Sequence, residues 1–140
     1  MPEINIKLSV FGDSFSPKYL TELIKIDPTE YWSAGDIILP PRGVHKLGHN
    51  VSVRKYAYWE FATGYIETLH FEDVALILEN KLINILPILK SFMEENKLEA
   101  ALYVVVRNLK KEEMPSIHLS NKILSISENL NAEIDIDLYG

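Results

Sequence analysis

Asp135 and Asp137 stand two apart near the end of the sequence, and Glu133 stands two before them. In a strand that spacing puts all three carboxylates on one face, with neighbours about 7 Å apart. Such a row can hold a divalent cation or divide acid and base roles. It serves equally as a solvated charged face that discourages edge aggregation, and no partnering motif of ligand spacing accompanies it. His45 and His49 stand four apart. On a helix they would align as two zinc ligands. Pro40, Pro41, Gly43 and Gly48 surround them, so the segment reads as a loop. Arg42, His45, Lys46 and His49 make this 40–50 loop locally basic and able to take up an anion, although it lacks a phosphate-loop signature. There is no nucleophile elbow, dinucleotide fingerprint or kinase set. The chain has no cysteine, which excludes thiol chemistry and cysteine-ligated zinc. The residues thus assemble no catalytic set and no metal site, and they imply no cofactor.

A second pattern is a whole surface. Arg54, Tyr56, Tyr58 and Glu60 alternate with apolar residues, as do Asp135, Asp137 and Tyr139. If helices cover one side of a sheet, these residues gather on the other side with Asn5 and Lys7. Tyrosines interleaved with charges suit protein recognition. They suit a wet sheet face equally, because aromatic residues favour strands. The net charge of −6 is compatible with a basic protein partner. It disfavours nucleic acid and anionic membrane, both of which call for clustered Lys and Arg.

The elements that must position these residues are legible from periodicity. Ile4, Ile6, Leu8 and Val10 alternate with polar neighbours, which predicts a strand with one buried face. Ser16 and Pro17 read as the cap and first turn of a short helix lined by Tyr19, Leu20, Leu23 and Ile24. A strand is expected over 53–61. Helices are expected near 71–82 and 85–96, with Asn84 as the cap and Pro87 in a first turn, where it costs little. Residues 101–107 are almost continuously apolar, as in a central strand. A short edge strand over 115–119, a helix capped by Ser120, and a last strand carrying Ile134, Ile136 and Leu138 into the core complete the series. Trp32 and Trp59 read as core anchors. Phe15-Ser16-Pro17 echoes Leu119-Ser120-Asn121, which leaves two pseudo-repeated halves open. At 140 residues the chain suits a single domain, 1–140. The fold class expected is α+β, a mainly antiparallel β-sheet with helices packed on one face. With no signal-like start and no membrane-length apolar run, a cytoplasmic protein is expected.

The order Gly12, Pro17, Leu20-Thr21, Asp27-Pro28-Thr29, Trp32, Gly35-Asp36, followed by Trp59, the helices over 71–93 and Ile134-Asp135-Ile136-Asp137, resembles the bacterial domain-of-unknown-function family numbered 4279. The resemblance covers nearly the whole chain. That family carries no established activity, so it transfers no site residue. The proximity of some members to toxin systems implies an immunity-type role. The leading expectation is a non-enzymatic protein-binding domain that meets a basic partner, such as a toxin, through Arg54, Tyr56, Tyr58, Asp135, Asp137 and Tyr139. The alternatives are a small-molecule or anion sensor using the 40–50 loop, and an enzyme with dispersed site residues.

Overall fold

The computed structural model describes residues 1–39 and 52–140. The alternating start of the chain forms β1 (Glu3–Gly12), with Ile4, Ile6, Leu8 and Val10 fully buried. Ser16 caps α1 (Pro17–Ile24), its hydroxyl accepting from the Tyr19 N–H at 3.1 Å. The helix stops where Lys25 turns left-handed. There follow β2 (Glu30–Trp32), β3 (Ala57–Ala62), the short β4 (Ile66–Glu67), α2 (Phe71–Leu82), α3 (Leu86–Asn96), β5 (Glu99–Arg107), α4 (Asn121–Leu130) and β6 (Glu133–Leu138).

The strands form one sheet in the order β2-β3-β1-β5-β6, with β4 pairing to the start of β1. Every pairing is antiparallel except β5 with β6, which are parallel. A parallel pair needs a long crossover, and α4 lies within it. The register sets Leu8 between Phe61 and Leu102, and Val10 between Trp59 and Ala100. This apolar face joins Leu20 and Ile24 of α1, Phe71, Val74 and Leu78 of α2, Leu89 of α3 and Ile126 of α4 in one hydrophobic cluster. The fold is therefore α+β, a mostly antiparallel sheet with its helices on one side.

Departures from the sequence reading concentrate at the margins. Ile134, Ile136 and Leu138 do share the helix-side face, in register with Leu102, Val104 and Val106. Yet Ile134 is only partly buried, Ile136 is 42% exposed and Leu138 is 55% exposed. β6 is the edge strand, and the helix layer does not extend over its end. On α1, Tyr19 and Leu23 are exposed while Leu20 and Ile24 are buried. Residues 53–56 do not continue β3. Val53 makes a single bridge to Ile37, and the chain bends at Lys55-Tyr56, where Lys55 stands in an otherwise apolar position. Asn5 and Ser9, expected on a wet face, are buried because β1 lies at the centre of the sheet. The break between α2 and α3 and the first-turn Pro87 occur as expected, but the N-cap is Ile85, without a side-chain bond, rather than Asn84. Residues 115–119 form no strand; Ser116 makes one bridge to His70. The echo between Ser16 and Ser120 is one of helix capping. α1 connects β1 to a strand two places away in the sheet, whereas α4 connects adjacent strands.

Candidate functional site

The register maps the sheet face opposite the helices as rows. Trp32, Tyr58, Phe11 and Glu99 form one row. Glu30, Glu60, Ser9, Ala101 and Glu133 form the next, followed by Ala62, Lys7, Tyr103 and Asp135, and then by Asn5, Val105 and Asp137. Ser9 and Ala101 are small and buried, so their row lies low between an aromatic row and the Lys7–Tyr103 row.

At the β2–β3 end three side chains are layered. The Arg54 guanidinium lies 3.8 Å above the Trp32 ring. Trp32 stacks on Tyr58 with centroids 4.3 Å apart and planes 13° from parallel. Tyr56 meets Trp32 edge-on at 5.7 Å. Beneath them the Tyr58 hydroxyl donates to Glu60 Oε1 at 2.8 Å. Its one proton is thereby committed, so the Ser9 hydroxyl, 2.7 Å away, donates to it. The Thr29 hydroxyl donates to Glu60 Oε2 at 3.1 Å, which accounts for both oxygens of a buried carboxylate. Burial holds the Tyr58 phenol well above the ordinary tyrosine pKa. The Ser9 bond opposes that shift, and the bond to Glu60 and the charges of Glu60 and Glu30 add to it. A phenol held this way keeps its proton at neutral pH. This cluster holds the half-buried Trp32 between Tyr58 and Arg54. Trp32 is thus not the core anchor expected from the sequence. Trp59 is, fully buried and donating from Nε1 to Thr21 Oγ1 at 3.1 Å.

The other end of the same face holds a pocket of about 340 Å³ where β5 and β6 begin. Glu99, Glu133 and Asp135 line it with Phe11, Ala101 and Tyr103, and the end of α4, Leu130 and Asn131, closes one side. Asp137 continues the acidic row along β6 and is exposed. Tyr139 lies beyond the strand, with its N–H bonded to the Val106 carbonyl at 2.8 Å and its side chain exposed.

The structure therefore divides the residues singled out from the sequence. Arg54, Tyr56 and Tyr58 are together, and Asp135 and Asp137 are together, but β1 and β5 separate the two groups. Three strand spacings put about 14 Å between β3 and β6. Arg42, His45, Lys46 and His49 lie outside the described residues. Phe11, Glu99 and Tyr103 went unnoticed in the sequence. The alternation Glu99, Ala101, Tyr103 was visible, but only the pairing of β5 with both β1 and β6 makes it a pocket wall. A larger groove of about 600 Å³ runs between α1 and α3, and its single carboxylate is Glu95. Among the described residues, no group of three or more His, Asp or Glu is placed to hold a metal ion, and no helix is long and apolar enough to cross a membrane.

The family model described as Domain of unknown function (DUF4279) matches residues 2–140. No curated protein and no solved structure matches the chain. The chain belongs to the DUF4279 family.

Proposed function

We propose that this DUF4279 member is a non-enzymatic protein-binding domain that receives a basic partner on its open sheet face, with a lysine or arginine of that partner seated among Glu99, Glu133 and Asp135. The observation that carries this reading is the pocket itself: three carboxylates and two aromatic rings at the end of the sheet, on the face opposite the helices among the described residues, with Leu130 and Asn131 at the end of α4 closing one side. The aliphatic stem of a lysine or arginine packs on Tyr103 and Phe11 while its charged head reaches the carboxylates. The net charge of −6 steers such a partner toward the face and speeds encounter. A basic toxin is one partner of this chemistry, and neutralising it would be the immunity-type form of the function.

Titration of the isotope-labelled chain with oligolysine at low salt tests the proposal. Amide shifts should centre on Glu99, Tyr103, Glu133 and Asp135, and they should vanish in a variant carrying Glu99→Gln, Glu133→Gln and Asp135→Asn. Shifts confined to the helix side, or shifts undiminished in that variant, would overturn it.

A further inference from the structure

The outer edge of β6 is unpaired among the described residues, since the strand bonds to β5 alone. An edge strand directs alternate N–H and C=O groups outward, a ready template for another strand. β6 differs in character on its two sides. On the helix side Ile136 and Leu138 stand exposed beyond the helix layer, and on the open side Glu133, Asp135 and Asp137 are exposed. We infer that β6 is a strand-addition site, and that its occupant is an extended segment of a partner protein in which basic and apolar residues alternate. This rests on the open-face reading above and gives it a mode of attachment. Backbone bonds to β6 supply affinity, apolar side chains of the segment cover Ile136 and Leu138, and basic ones lie beside Asp135 and Asp137.

A second copy of this chain does not fit. Antiparallel self-pairing centred on Asp135 sets Asp135 against Asp135 and Glu133 against Asp137, with like charges directly opposed. The period of two in β6 also selects the occupant's pattern: only alternation puts its cations and its apolar residues on the correct sides together.

A short peptide of alternating lysine and valine is the probe, with controls of the same composition in separate lysine and valine blocks and with alternate backbone N-methylation. Hydrogen exchange and amide shifts are read on the full chain. The alternating peptide should slow exchange of the outward amides of β6, and N-methylation along its pairing edge should abolish that protection. Asp137→Asn combined with Leu138→Thr should weaken its binding about tenfold, the sum of two cross-strand pairs. Both side chains are exposed, so this variant should fold. Glu99→Gln, on β5, reports on the pocket separately. Block and alternating peptides that bind equally, with β6 amides unprotected, would overturn strand addition; loss of that binding on Glu99→Gln would leave the pocket reading intact. Failure of both peptides to bind would overturn both readings. A dimer formed through β6 would overturn the choice of occupant.

Discussion

At the scale of single residues, Tyr58 shows how a sheet face can bury polarity. Its hydroxyl bridges Ser9 and Glu60, and its ring carries Trp32 and, above that, Arg54. Tyr58→Phe keeps the ring and deletes the bridge. We expect a loss of about 1–3 kcal/mol in chemical denaturation, because Glu60 and Ser9 each lose a partner. The pH dependence has a definite sign. The folded pKa is raised above the unfolded value of about 10, so the folded state binds its proton more tightly. The associated stability is complete below pH of about 10 and is lost as pH rises beyond it. Tyr58→Phe should flatten this alkaline decline relative to the parent, a difference that cancels the contribution of the other tyrosines. Truncating Tyr58 to alanine therefore perturbs a stack and a network. In the proposed reading, the aromatic contact for a partner falls instead to the half-buried rings of Tyr103 and Phe11.

At the scale of elements, two helix caps that look alike in sequence differ in what they support. The Ser16 hydroxyl accepts from Tyr19 N–H and does no more. The Ser120 hydroxyl accepts from Ile123 N–H at 3.2 Å and also donates to the buried Glu79 of α2 at 2.7 Å. Ser16→Ala should cost about 1 kcal/mol, the usual value of a cap. Ser120→Ala should cost about 2–3 kcal/mol, because it also leaves a buried carboxylate without its donor. Equilibrium unfolding of the two variants side by side checks the ordering. Gly35 marks the turn after β2. Its φ is +90°, and an added Cβ would meet nothing within 4 Å. Its N–H donates to the Arg54 carbonyl at 2.8 Å, and the Asp36 carboxylate accepts from Ser33 N–H. Gly35→Ala should cost about 1–3 kcal/mol through backbone strain alone.

At the scale of the whole molecule, charge and layering act together. Among the described residues the helices occupy one side of the sheet and the carboxylates Glu99, Glu133, Asp135 and Asp137 lie on the other, so in the proposed reading charge acts on the face that meets the partner. Glu133→Gln combined with Asp135→Asn should chiefly slow association of oligolysine and flatten its salt dependence. Tyr103→Ala should chiefly speed dissociation, by about 2 kcal/mol if the ring packs on the bound lysine. Stopped-flow measurements at low and high salt separate the two effects.

Local rules were enough to establish most of the elements from the sequence alone. Alternation in β1, the caps at Ser16 and Ser120, first-turn Pro17 and Pro87, and the apolar run in β5 each act within a few residues, so their signals survive without neighbours. The α+β class follows from them. Strand order, by contrast, was decided by long-range pairing. That order made β1 central and buried Asn5 and Ser9. It made β6 an edge and exposed Ile136 and Leu138, whose alternation is as regular as that of Ile4 and Ile6. β2 has three residues, too few to show a period, so only its pairing with β3 brought Trp32 onto Tyr58. The carboxylates of the pocket come from the starts of β5 and β6. Glu133 comes to lie opposite Ala101, two residues along from Glu99, and Asp135 opposite Tyr103, because α4 returns the chain parallel to β5, a juxtaposition that no spacing along the sequence encodes.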